Sequence, residues 1–127
     1  MTPLDRMLAE HEIARLTVRF ALLNDAGDWA AVADMFTEDA RFVRPAGGDP
    51  VVGRKAIHLI TNIVVNMLSE NEAASRCTLM LYAAPAGEAN AASPALIGGF
   101  TDKLVRTADG WRFSERVGFL DLKVALP

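Results

Sequence analysis

The last quarter of the chain, "ALIGGFTDKLVRTADGWRFSERVGFLDLKVAL", constrains the fold more than any other stretch. Residues 95–107 and 111–126 are long, rich in β-branched and aromatic residues, and parted only by the turn "ADG", so they read as two strands of a hairpin. "RCTLMLYAA", residues 76–84, shares the period of two and adds a third antiparallel strand. A sheet of this length must bury an apolar face against something. The rest of the chain has to supply the cover.

The N-terminal half has the helical period. Thr2 can cap, Pro3 suits the first helical position, and Asp5 meets the free amide dipoles. Ile13, Leu16, Phe20 and Leu23 then recur at three- and four-residue spacing. Gly27 stops this helix, and Asp28 caps a short second one whose Trp29, Val32, Met35 and Phe36 form the buried side. "DARFV" reads as a strand and "RPAGGDP" as an irregular loop. "VVGRKAIHLITNIVVNML" reads as a short extended piece followed by a third helix, with Ile57, Ile60, Val64 and Leu68 turned inward. The expected fold class is α+β: three helices on one face of a mostly antiparallel sheet, in a single domain over residues 1–127.

Composition narrows the function classes. A chain of 127 residues buries about two thirds of its unfolded surface. Its 13 basic and 16 acidic residues give a net charge of −3 with no basic cluster, which argues against nucleic acid and anionic membranes as partners. The lone Cys77 rules out an intrachain disulfide and suits a reducing cytosol. The N-terminus lacks a signal-peptide layout, and "LITNIVVNML" is too short and too polar to span a bilayer. A cytoplasmic location is expected. Two distant histidines and one cysteine provide no metal-ligand spacing, so no metal is expected.

Four short patterns occur in order: D-x-x-D-W from Asp25, F-T-x-D-A from Phe36, G-R-x-A-I from Gly53 and D-G-W-R-F from Asp109. With the helix–helix–strand–helix–meander layout, they make the chain resemble the SnoaL-like branch of the nuclear transport factor 2-like superfamily over nearly its whole length. This branch includes polyketide cyclases, scytalone dehydratase, bile acid dehydratase and ketosteroid isomerase relatives. The resemblance implies a cystatin-like cone, a curved sheet wrapped around three N-terminal helices and one deep apolar pocket, with no metal or organic cofactor. It also implies an acid in the pocket at Asp25, acting as a base or as the orienter of a catalytic histidine. A tyrosine near Phe20 and a histidine near Arg76–Cys77, usual in dehydratase-like members, are absent here.

Asp25 is therefore the candidate catalytic residue. A carboxylate in an apolar pocket has a raised pKa and becomes a competent proton acceptor; the plainer reading is a helix-end acid bonded to nearby amides. Phe20, Asn24, Trp29, Arg76, Cys77, Tyr82 and Asp102 are the candidate substrate-binding residues. Arg76 could hold Asp25 ionised or clamp an oxyanion, and Cys77 reads as a buried, inert thiol. Asp102 either joins Asp25 as a paired carboxylate or pairs with Arg112 or Arg116 on the next strand. His58 and His11 read as solvated or flank-packing residues.

The expected activity is proton transfer on an apolar, cyclic, oxygenated small molecule, in the manner of a dehydratase, isomerase or cyclase. The alternatives are a non-catalytic pocket protein and a protein-interaction module. Apolar residues on both sides of the strands predict a homodimer joined through the sheet face, with a trimer as the variant. In the last strand, Trp111, Phe113, Val117 and Phe119 are expected to share one face.

Overall fold

The computed structural model describes residues 1–44 and 54–125. Helix α1 (Pro3–Ala26) is followed by α2 (Trp29–Ala33) and by strands β1 (Phe36–Val43), β2 (Arg54–Met67), β3 (Glu72–Pro85), β4 (Ala95–Thr107) and β5 (Gly110–Val124). One five-stranded curved sheet has the order β1-β5-β4-β3-β2. Its pairs are antiparallel except β1 with β5, which is parallel. The class is α+β with a cystatin-like fold. Most of the loop read at "RPAGGDP" lies outside the described residues.

The start of α1 forms as its sequence dictates. Thr2 Oγ1 accepts from the Asp5 amide while the Asp5 carboxylate accepts from the Thr2 amide, a reciprocal capping box. The Asp5 carboxyl is held below its ordinary range, chiefly by that Thr2 amide. Gly27, at φ 71°, takes the left-handed conformation that ends the helix. Asp28 caps α2 by accepting from the Ala31 amide. Helix α2 has only five residues, however, and Trp29 at its start is 54% exposed; Met35 is the residue buried there.

The third helix does not exist, and its residues form β2. Six of the nine residues from Ile57 to Val65 are β-branched, which favours the strand. The period-two pattern is hidden by an irregularity between Thr61 and Val64, where Asn62 sits at φ 52°. Before it Ala56, His58 and Ile60 face inward; after it Ile63, Val65 and Met67 do. This change of parity imitates helical spacing.

A bulge also divides β5. Phe113 pairs with Leu104 and Glu115 with Lys103, so Ser114 is the extra residue. Trp111 and Phe113 therefore point inward with Arg116, while Val117 and Phe119 lie on the convex face, correcting the single-face expectation. The core lies between α1 and the concave face: Ala9, Ile13 and Phe20 pack on Ala73, Cys77, Phe100, Leu104, Trp111 and Phe113.

Close strand packing depends on the glycine pair in β4. A Cβ on Gly98 would fall 1.9 Å from the Phe119 carbonyl oxygen, and one on Gly99 would fall 2.0 Å from that of Cys77. Both obstacles are backbone atoms and cannot step aside. Gly99→Ala is expected to lower unfolding free energy by about 3 kcal/mol, read by denaturant titration; wild-type stability would mean that the strands are not this close.

Candidate functional site

Two chemically different polar groups face the interior. Near the middle of the sheet, Arg116 on β5 is fully buried, with its Nε 2.9 Å from Asp102 Oδ1 and its Nη2 3.3 Å from Asp102 Oδ2. The first contact is an ion pair without good hydrogen-bond alignment, and Nη1 has no hydrogen-bond partner among the described residues. Ser75 Oγ donates to Asp102 Oδ2 at 2.9 Å, and Cys77 Sγ lies 3.8 Å from Arg116 Nη2. The guanidinium carbon sits 4.3, 4.0 and 4.3 Å from the ring centroids of Phe20, Phe100 and Phe113. Cation–π attraction thus replaces part of the lost hydration.

Burial pushes the Asp102 carboxyl up and pulls the Arg116 guanidinium down, and each opposes the other's shift by holding its partner ionised. Burial also pushes up the Cys77 thiol, which keeps it protonated and inert.

The second group lies at the C-terminal end of α1. Asp25, in its last turn, accepts from the His58 backbone amide at 3.1 Å (Oδ1) and 3.0 Å (Oδ2), and its Oδ1 also contacts His58 Nδ1. The side chains are 13% exposed for His58 and 21% for Asp25. A carboxylate at a helix C-terminus meets the negative end of the helix dipole, so the position is unfavourable unless donors compensate it. Among the described residues His58 supplies them all. Asn24 plays a different part, donating its Nδ2 to the Phe20 carbonyl at 2.7 Å.

An imidazole that gives its Nδ1 hydrogen to a carboxylate keeps a lone pair on Nε2 and can accept a proton there, the resulting imidazolium being stabilised by the acid. Around it the inner face is apolar: Ala56 and Ile60 on β2 and Leu81, which pairs with His58, on β3. Among the described residues, no three His, Cys, Asp or Glu side chains form a group that could hold a metal.

The structure does not collect the expected binding residues around Asp25. Phe20 is buried in an aromatic cluster with Phe36, Phe42, Phe100 and Phe113, centroids 5.4–6.2 Å away. Cys77 and Asp102 face inward but belong to the Arg116 network, so of the readings open for Asp102 the structure has the pairing with Arg116. Trp29 lines an outer cleft of about 830 Å³ with Phe36, Phe42 and Arg112, among others, and Asp25 is not part of its wall. Arg76 and Tyr82 alternate with the inward residues of β3 and so lie on the convex face, Arg76 4.7 Å over the Phe119 ring. The partner of Asp25 is instead His58, which helical spacing had set aside. The β-branched content of residues 57–65, which favours a strand over a helix, is the signal that could have found it.

The family pattern for the SnoaL-like domain matches residues 5–58 and 54–117, and the chain belongs to that family. The two stretches meet at 54–58, where the chain enters β2 in place of the expected third helix. No curated protein sequence matches the chain.

Similar solved structures include a protein from Novosphingobium aromaticivorans assigned provisionally as a scytalone dehydratase: 18% identity, 99% of this chain and 93% of that one, TM-score 0.84. The hexachlorocyclohexane dehydrochlorinase LinA-type3 from Novosphingobium barchaimii is another, with 18% identity over 98% of this chain and 94% of that one, TM-score 0.83. An NTF2-like protein with a cystatin-like fold from N. aromaticivorans shares 20% identity over 92% of this chain and 84% of that one, TM-score 0.71. At these identities the likeness establishes the fold.

The buried pair makes a stability prediction. Asp102→Asn leaves the Arg116 cation buried without its counter-charge and should cost about 3–5 kcal/mol. Removing both charges with Asp102→Leu and Arg116→Met should cost less than the single change. Denaturant unfolding of the three proteins measures this, and a double variant less stable than Asp102→Asn would contradict it.

Proposed function

We propose that this chain is a lyase or isomerase of the dehydratase type that works by proton transfer without a cofactor. In this reading His58 Nε2 takes a proton from a carbon of an apolar, cyclic substrate. Asp25 fixes the ring through Nδ1 and stabilises the imidazolium that forms. In an elimination the C–H electron pair becomes a new double bond as the bond from the neighbouring carbon to hydroxyl or chloride breaks, and His58 gives its proton to the departing hydroxyl, which leaves as water, or to solvent when chloride leaves; in an isomerisation the pair shifts an existing double bond and the proton returns to another carbon of the product. The observation that carries the proposal is the Asp25–His58 contact, half-buried on an otherwise apolar inner face. The SnoaL-like family and the dehydratase and dehydrochlorinase folds it resembles support the same class of reaction.

The test is turnover on a panel of hydroxylated steroids, terpenoids, aromatic polyketides and chlorinated cyclohexanes. At least one should be converted. His58→Ala should then lower kcat/KM on the order of 100-fold or more, and Asp25→Asn should lower it too, each with an unchanged circular dichroism spectrum. Equal turnover by His58→Ala would sink the dyad as the base. Binding of a panel member without conversion would favour the non-catalytic pocket reading.

Assembly through the sheet is part of the same proposal. The convex face carries Ile57, Leu59, Val64 and Leu122, each 45–60% exposed, beside Met80 and Phe119. An apolar face of this kind suits a subunit interface, and a two-fold is the commonest closure. Light scattering should give at least two chains of 13.7 kDa, and Val64→Glu with Leu122→Glu should reduce that number. A single-chain mass refutes the interface, and three chains would replace the two-fold by a three-fold.

A further inference from the structure

Helix α1 is apolar on two opposite sides, and the described fold covers one. Ala9, Ile13, Phe20 and Ala21 are buried on the sheet side. On the far side Leu4, Met7, Leu8, Val18 and Leu22 are 42–65% exposed. An ordinary surface helix puts charged residues there, and one apolar all round is normally buried all round. With the exposed His11 and Arg15, the residues 4, 8, 11, 15, 18 and 22 alternate four and three apart. That is the spacing of a paired-helix seam.

The seam reads the same in reverse. Laid antiparallel against itself about the level of residue 13, Leu4 faces Leu22, Leu8 faces Val18, and His11 faces Arg15. Asp5, Glu12 and Arg19 run along one flank, so Arg19 of one copy comes beside Asp5 of the other, an attractive pairing. Arg19 has no ion-pair partner of its own among the described residues. A patch complementary to its own reverse is what an isologous two-fold interface requires.

We propose that a second copy of this chain docks on this stripe, α1 against α1, antiparallel and centred near Ile13. The apolar ends supply the association, and the polar His11–Arg15 centre sets the register, as single polar seam positions do in paired helices. This interface is separate from the convex sheet face and independent of any chemistry at His58.

Cross-linking tests the register. Within one α1, residues 4 and 22 are about 27 Å apart along the axis, too far for a short bismaleimide to bridge. The Leu4→Cys/Leu22→Cys double variant should give a covalent dimer in high yield, while Leu4→Cys and Leu22→Cys alone should not. The buried Cys77 does not compete. Leu8→Glu with Val18→Glu, both at exposed positions, should halve the mass seen by light scattering with an unchanged circular dichroism spectrum. Either single cysteine variant cross-linking as well as the double, or a mass unaffected by Leu8→Glu/Val18→Glu, overturns the proposal, and assembly through the sheet alone would give that second result.

Discussion

A guanidinium with no access to water holds the interior in register. Arg116 comes from β5, its counter-ion Asp102 from β4, the hydroxyl that bonds the counter-ion from Ser75 on β3, and one of its aromatic walls, Phe20, from α1. Ser75, Asp102 and Arg116 are also directly opposite one another across the three strands. A slip of one residue in the β4–β5 pairing would move one charge to the convex face and strand the other inside, and a slip between β3 and β4 would take the Ser75 hydroxyl away from Asp102. A carboxylate and a guanidinium are costly to bury, and their attraction offsets that cost only in good geometry. The pair therefore penalises every wrong register more heavily than an all-apolar core would.

The concave face is apolar above and below this network, and the position of β2 completes it. Because residues 54–67 run as a strand beside β3, His58 arrives with its backbone amide and its ring both turned to Asp25. In a helical segment those two groups would not converge on one carboxylate. The loss of the third helix and the making of the dyad are thus one structural event.

Much of this was legible from residues alone. The capping box at Thr2, the left-handed Gly27, the Asp28 cap and the hairpin turned by 108–110 are local features whose chemistry is complete within a few residues. The alternation of Cys77 and Leu79 against Arg76 and Met80 gave both faces of β3. What failed were the segments that change parity. The irregularity after Thr61 made a strand look helical, and the extra Ser114 moved Val117 and Phe119 to the face opposite Trp111. Bulges are set by cross-strand partners, here Lys103 and Leu104 for Ser114 and Arg76 and Thr78 for the irregularity in β2, so the alternation within one strand does not reveal them. The misplacement of His58 followed directly from the first of these, and Asp25 was left without its partner.

The two acids of the interior show why one is structural and the other is suited to chemistry. Asp102 has an arginine, a serine and three aromatic walls around its ion pair, and it is 2% exposed. Its charge is neutralised in place, and no substrate atom can approach it without dismantling the core. Asp25 sits where the helix dipole opposes it, with no basic residue in the last turn of α1 to relieve it. Among the described residues its donors come from a single histidine that stays partly open to solvent. An unfavourable local choice, compensated by one titratable group at the edge of an apolar face, is the pattern expected where function rather than stability set the residue. The same contrast predicts opposite responses to substitution: changes at Asp102 act on folding, and changes at Asp25 act on what His58 can do.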